Sequence, residues 1–323
     1  MIILDREFVR QHLTYEACIP LMRAAMIALS RGETIQPLRS ILKLADGHMF
    51  GIMPGAMGES GSFGAKLVSV FPENASLGRQ SHQGVVLVFD AETGAPTGLV
   101  QAGEVTAIRT AAASAAATDA LARPDAASLA ILGCGEQAGT HLEAISKVRE
   151  LKRVTVWGRS LIKAQSFAAR MSRKTGLAVT ASPTVQACVE DAGIICTVTA
   201  AQEPILKRDW VSRGAHINLV GSSYAGPAEI DTPLVVASRF IADYRPGVLA
   251  QGAEFLRAKE AGLIGDNHIH AEIGEVFDGK AEGRANRDDI TAYKSLGHVV
   301  QDLASAAFLL ERAGQLGMKP VSF

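Results

Sequence analysis

Leu129-Ala-Ile-Leu-Gly-Cys-Gly-Glu-Gln-Ala-Gly139 is the stretch whose reading decides the fold of this chain. Leu129 to Leu132 read as a buried strand, Gly133 and Gly135 as a tight turn, and Glu136 onward as a helix. Ala138, His141, Leu142, Ile145 and Val148 recur there at helical spacing. Strand, glycine turn and helix in that order aim backbone N–H groups and the positive end of a helix dipole at one point, which suits a pyrophosphate. The Gly-x-Gly-x-x-Ala spacing is weak by itself, because glycine turns are common; the flanking strand and helix give it weight. Gly133, Gly135, Glu136, Gln137 and Ala138 are therefore expected to hold a dinucleotide.

The next strand, Val154-Thr-Val-Trp, runs into Gly158-Arg159-Ser160. A dinucleotide fold usually carries an acid here for the ribose 2′-hydroxyl. Arg159 instead suits a 2′-phosphate, so Arg159 and Ser160 point to NADP(H) as the preferred cofactor, with NAD(H) possible. Further strands are expected near 193–197, 216–220 and 239–242, alternating with helical stretches, and this alternation argues for βαβ units and a parallel sheet. Ligands of such sheets bind beyond the carboxyl ends of the strands. Thr197 and Val198, and then Val220, Gly221 and Ser222, are expected on the cofactor for that reason.

The N-terminal part reads differently. Residues 8–31 form one helical pattern. Strand-like runs then follow at Arg39–Leu44, Gly47–Pro54, Gly64–Pro72, Gly84–Asp90 and Thr97–Gln101, with turn chemistry at Asp90–Pro96. This run of hairpins predicts an antiparallel sheet of about six strands. Gly103–Leu121 is an alanine-rich helix, good helix-forming material, and Arg123-Pro-Asp marks a junction. Residues 291–314 return to a helical pattern. The fold class expected is α/β: a Rossmann-type parallel-sheet domain over 123–292, plus a discontinuous α+β domain for substrate binding and dimerisation, with an antiparallel sheet, over 1–122 and 293–323.

Composition narrows the function. The chain has 323 residues, 48% hydrophobic and 20% charged, with 31 glycines and a net charge of −1. That is the make-up of a well-cored globular protein, with no basic surplus for nucleic acid. The four cysteines, Cys18, Cys134, Cys188 and Cys196, lack C-x-x-C spacing and read as reduced. No run approaches a membrane span, the first residues do not read as a signal peptide, and a cytoplasmic location is expected. No cluster has metal-ligand spacing.

Three cations lie in apolar surroundings: Arg39 where a strand begins, Lys66 inside Gly64-Ala-Lys-Leu-Val, and Arg109 among the alanines of the long helix. Such charges are costly unless paired. Together they would suit a small carboxylate, arginine supplying a bidentate clamp. Met53 is expected on the substrate side as well, and Thr110 is a candidate for a cofactor phosphate.

Four ordered motifs resemble the ornithine cyclodeaminase/mu-crystallin family over nearly the whole chain. They are Phe89-Asp-Ala-Glu-Thr-Gly-Ala-Pro with Glu104-Val-Thr-Ala-Ile-Arg-Thr-Ala-Ala-Ala-Ser, Gly64-Ala-Lys-Leu-Val, Leu132-Gly-Cys-Gly-Glu-Gln-Ala, and Lys294-Ser-Leu-Gly-His-Val-Val-Gln-Asp-Leu-Ala. The resemblance implies a homodimer, a Rossmann domain, and chemistry on an imine or amino acid with a nicotinamide. It also implies that Arg39, Lys66 and Arg109 bind the substrate carboxylate and that the lysine takes part in proton transfer.

One departure bears on the chemistry. Ornithine cyclodeaminases place a proton-transferring aspartate after Val-Gly-Gly, where this chain reads Val220-Gly-Ser-Ser223. A serine hydroxyl cannot replace a carboxylate as a general base, so ornithine cyclisation is demoted. Hydride delivery to a preformed cyclic ketimine asks less of that loop, mainly alignment. The leading reading is reduction of Δ1-pyrroline-2-carboxylate to L-proline, or of Δ1-piperideine-2-carboxylate to L-pipecolate. The alternative is a lyase that dehydrates cis-3-hydroxy-L-proline, with Ser223 at the departing hydroxyl. A non-catalytic crystallin-like binder is a third. His298 is a candidate proton relay, with a structural helix-start role as its competing reading.

Overall fold

The computed structural model describes residues 1–58 and 61–322. The chain forms two compact units, Met1–Arg109 with the C-terminal stretch from His298, and Thr110–Gly297.

The first unit opens with β1 (Ile2–Leu4), α1 (Arg6–His12) and α2 (Tyr15–Ser30). The expected single helix over 8–31 is broken at Leu13. Leu13 leaves helical backbone geometry (φ −91°, ψ 68°), and the Thr14 hydroxyl accepts from Ala17 N (3.4 Å) to start α2 afresh. Then come β2 (Ser40–Lys43), β3 (Met49–Ala56), β4 (Phe63–Val70), β5 (His82–Phe89) and β6 (Pro96–Gln101). The sheet has six strands in the order β1-β6-β5-β4-β3-β2, antiparallel except that β1 runs parallel to β6. The C-terminal helix, Val299–Gln315, packs across β3 to β6 and against α2. Its buried Val299, Leu303, Ala306, Leu309 and Ala313 recur at the spacing of one helical face.

The helix α3 (Ala102–Leu121) contains the boundary between units, after Arg109, whereas the sequence suggested a junction at the helix end. Its two halves are held differently. Glu104 accepts from Arg6 and Arg10 of the first unit, while Ser114 meets His141 Nε2 (3.0 Å) and Thr118 accepts from Asn218 Nδ2 (2.9 Å) in the second.

The second unit alternates strands with helices. β7 (Ser128–Leu132) leads to α4 (Glu136–Ile145), β8 (Arg153–Trp157) to α5 (Leu161–Thr175), β9 (Val179–Ala181) to α6 (Val185–Val189). β10 (Ile194–Thr197), β11 (His216–Leu219), α7 (Thr232–Ala237), β12 (Ser238–Ala242), α8 (Arg245–Gln251) and α9 (Ala253–Glu260) follow. β13 (Ile269–Glu272), α10 (Ile273–Phe277) and β14 (Ile290–Lys294) complete it, so the C-terminal helix is α11. All eight strands are parallel, in the order β13-β12-β14-β11-β10-β7-β8-β9, and the order reverses between β7 and β10. This is the expected α/β class, a parallel sheet and a separate largely antiparallel one. The expected helix over 291–314 needs correction at its start. Ile290–Lys294 is a strand inside the parallel sheet, all five residues buried. A strand covered on both faces has no period-2 alternation to separate it from a buried helical turn.

Candidate active site

In the first unit, β4 is paired on both sides, which brings Lys66 opposite the buried Met53 of β3 and Val86 of β5. Lys66 is only 3% exposed and Arg109 only 4%. Both cations meet one carboxylate that the sequence reading did not single out. Asp302 of α11, itself 0% exposed, takes Lys66 Nζ at 2.8 Å on Oδ2 and Arg109 Nε at 3.0 Å on Oδ1. Arg109 Nη1 also donates to Gln301 Oε1 (2.8 Å), the same atom that accepts the His298 backbone N–H (3.3 Å). His298 is thereby the N-cap of α11 and sits four residues before Asp302.

Two cations around one anion leave a surplus positive charge in a place that water barely reaches. Burial pushes the Lys66 ammonium down from its ordinary 10.5 to about 8; Asp302 opposes this, while Arg109 and Arg39 add to it. Burial also works to raise Asp302, but Arg109 and Lys66 together hold it below the usual carboxylate value. Arg39, half-buried immediately before β2, is thus close enough to act on the lysine. Burial pushes the neighbouring Cys18 thiol up to about 12, which rules it out as a nucleophile at neutral pH.

In the second unit, Gly133 ends β7 with φ +132°, and its N–H bonds to Trp157 O (2.8 Å). A side chain there would put Cβ 2.8 Å from Val198 O, so only glycine fits. Gly135 is the N-cap of α4 and supplies no side-chain cap, and the space where its Cβ would lie is open. Gln137 Oε1 is buried without a hydrogen-bond partner, and Ala138 is fully buried. With no side-chain cap from Gly135, the first backbone N–H groups of α4 are the donors an anion would meet. Arg159 is exposed after β8, and Ser160 caps α5 through Lys163 N (3.4 Å). Thr110 is buried in α3.

The loops after β10 and β11 are tied together by Glu229, another residue missed in the sequence. Its two oxygens accept from Thr197 Oγ1 (2.6 Å), Thr199 N (2.7 Å), Thr199 Oγ1 (2.6 Å) and Gly221 N (2.8 Å). A Cβ on Gly221 would lie 2.1 Å from Thr199 O, so glycine permits the approach. The Val198 N–H bonds to Leu132 O (3.0 Å), and Val220 N–H to Thr197 O (3.0 Å). Ser222 is buried, its hydroxyl on Pro227 O (2.5 Å) and its carbonyl accepting from Lys294 Nζ (2.6 Å). Lys294 pairs with Glu254 (2.8 Å), both 0% exposed. Ser223 follows, half-buried.

The first unit thus brings Met53, Lys66 and Arg109 together, with Arg39 acting on the lysine. The second carries the glycine turn, the Arg159 loop and the Thr197 and Val220 loops on the carboxyl ends of parallel strands. Asp302 had a legible signal, the one acid among the first ten residues of the last helix's largely apolar run, four residues after His298. Glu229 and Glu254 had none, because Glu229 lies 32 positions from Thr197 and Glu254 lies 25 positions from the Glu229 backbone it accepts from.

Among the described residues, no group of three or more His, Cys, Asp or Glu side chains is arranged to hold a metal ion. Nor is any helix among them long and apolar enough to cross a membrane.

The chain is 31% identical over 320 residues to a Δ1-pyrroline-2-carboxylate reductase of Bacillus thuringiensis subsp. konkukian, covering 98% of each. It is 34% identical over 313 residues to the ketimine reductase mu-crystallin of Mus musculus, covering 95% of this chain and 96% of the relative. Its fold matches that of Thermococcus litoralis Δ1-pyrroline-2-carboxylate reductase, solved in complex with NADH and L-proline. The TM-score is 0.95 at 32% identity, with both chains covered over 100%. The ornithine cyclodeaminase/mu-crystallin family model matches residues 1–316, and the chain belongs to that family.

Proposed function

We propose that this protein is an oxidoreductase that reduces a small cyclic ketimine carboxylate with a nicotinamide cofactor. The preferred substrate is Δ1-pyrroline-2-carboxylate, giving L-proline, and Δ1-piperideine-2-carboxylate, giving L-pipecolate, is the six-membered counterpart. The observation that carries the proposal is the buried Lys66–Asp302–Arg109 cluster, whose single surplus positive charge complements one carboxylate. Two relatives named Δ1-pyrroline-2-carboxylate reductase, one of them solved with L-proline, and a third named ketimine reductase support the substrate class.

Arg109 has donors beyond those committed to Asp302 and Gln301, and with Arg39 it binds the substrate carboxylate. Lys66, held near neutrality by burial, gives a proton to the imine nitrogen or keeps it protonated, which makes the adjacent carbon electrophilic. Asp302 holds the ammonium in place, and His298 fixes the helix start that carries Asp302. Met53 packs on the substrate side of Lys66, and Ser223 orients a water or a polar group of the substrate.

The cofactor reading rests on fit. An uncapped helix start and the open space at Gly135 suit a dinucleotide pyrophosphate. Gly133, Gly135, Glu136, Gln137 and Ala138 would hold the pyrophosphate, Thr110 a phosphate oxygen, and Arg159 with Ser160 the adenosine ribose. Thr197, Val198, Val220, Gly221 and Ser222 would hold the nicotinamide end. The bound nicotinamide supplies the hydride. Arg159 favours NADP(H) over NAD(H). A homodimer completes the proposal. The edge strand β2 is exposed along its length, and Ile41, Leu42, Ile52 and Phe63 present apolar side chains on the same sheet, a surface that calls for a partner.

The test is NAD(P)H oxidation with each cyclic imine, alongside cis-3-hydroxy-L-proline with no cofactor added. Stoichiometric NAD(P)H oxidation by an imine supports the reductase. Turnover of hydroxyproline alone would replace it with the lyase.

A further inference from the structure

The carboxylate of Glu229 has a role that its burial alone does not explain. It is 0% exposed and, among the described residues, is held by two backbone N–H groups and two hydroxyls from the loops that end β10 and β11, with no cation in ion-pair contact. Each oxygen receives one N–H and one hydroxyl, so both lone pairs of both oxygens are engaged. The backbone N–H groups of Thr199 and Gly221, one on each oxygen, can only donate, and they favour the ionised carboxylate. Burial raises the carboxyl above its ordinary value, and the Thr197 and Thr199 donors pull it back. Its own backbone N–H bonds to Glu254 Oε1 (3.2 Å), and Glu254 pairs with Lys294, which donates to Ser222 O. Two carboxylates and one ammonium leave one net negative charge beneath these loops.

The strand order reverses between β7 and β10, so a dinucleotide whose pyrophosphate lies at the β7 turn extends its two halves over opposite sides of the sheet. Arg159 marks the ribose side, after β8. The β10 and β11 ends therefore take the nicotinamide. We propose that Glu229 is a positioning residue that fixes both nicotinamide-facing loops and, as a carboxylate, places a negative charge there, which favours the oxidised, cationic ring over the reduced, neutral one. That charge biases the reaction toward hydride donation, because the ring gains positive charge as the hydride leaves. The inference rests on the function proposed above.

The experiment measures dissociation constants of the oxidised and reduced cofactor by calorimetry in wild type, Glu229→Gln and Glu229→Asp. Glu229→Gln is expected to weaken the oxidised form about tenfold more than the reduced form. Glu229→Asp, which keeps the charge, is expected to retain the wild-type ratio even where both constants change. A purely structural role predicts equal weakening of both forms by Glu229→Gln, and that result would overturn the proposal. Should Glu229→Gln fail to fold, the triple variant E229M/T197V/T199V removes the acceptor with two of its donors, which leaves fewer buried groups unmatched. It is expected to shift the ratio in the same direction, and an unchanged ratio overturns the proposal equally. A wild-type protein that binds neither form refutes the function and this role together. An unchanged ratio in a protein that binds both refutes this role alone.

Discussion

The two units bury charge in opposite ways. In the first, Lys66 and Arg109 share the single carboxylate of Asp302, and in the second, Lys294 is paired with Glu254 while Glu229 is satisfied by neutral donors. One cluster keeps a surplus positive charge and the other a surplus negative one. Each would be unstable as an arbitrary core, since an unpaired buried ion costs several kcal/mol. Under the proposed function an outside partner supplies each balance: a small carboxylate for the first, an oxidised nicotinamide for the second. The lesson is that a net charge retained inside a fold marks a place shaped for a ligand of opposite sign, whereas a cancelled one marks architecture.

The sharpest way to break this contrast is to remove the surplus cation. Lys66→Ala is expected to lower kcat/KM for the cyclic imine about 1,000-fold, with circular dichroism unchanged; activity within tenfold of wild type would remove the lysine from the chemistry. Asp302→Ala should act on the fold itself. It leaves two buried like charges without their common anion, and the expected loss is about 3 kcal/mol, read from the denaturant midpoint. A loss below ~1 kcal/mol would mean that water reaches the cluster.

Arg159→Asp tests the other unit. The dissociation constant of NADPH should rise about tenfold and that of NADH about twofold or less, because only the former carries the 2′-phosphate. Equal changes would leave the arginine without a role in cofactor choice.

The smallest expected effect is a displaced pH profile. With the Lys66 ammonium at about 8, kcat/KM should fall above that pH, and Asp302→Asn should move the break to lower pH by removing the one neighbour that raises it. The lysine's contribution to stability has the opposite sign. Between pH about 8 and 10.5 the unfolded chain keeps a proton that the folded chain has released, so this contribution rises with pH across that window. Activity and the lysine's stability term diverging there would be diagnostic; an activity profile flat through pH 9 would not fit a protonated Lys66.

Much of this is legible in the sequence. The Leu129–Gly139 strand, turn and helix, the five strands of the hairpin region and the alanine-rich helix all announce themselves locally. So does the serine at 223. The strand Ile290–Lys294 did not, because burial on both faces erases the alternation that identifies a strand. The break at Leu13 was hidden because the apolar spacing continues across it, and only the Thr14 cap ends one helix and begins the next. Lys66 and Arg109 stood out as charges in apolar runs, but their shared partner lies 193 positions beyond Arg109.

By itself, then, the sequence determined the residue types that chemistry requires and the local elements that bear them, because turns, helix starts and periodic apolar faces are properties of neighbours along the chain. Only the tertiary structure decided which charges are cancelled and which are kept. That outcome depends on Asp302 reaching β4 and α3, and on Glu229 reaching two separate loops. Electrostatic energy follows distance and burial, and neither is encoded in the spacing of residues along the chain.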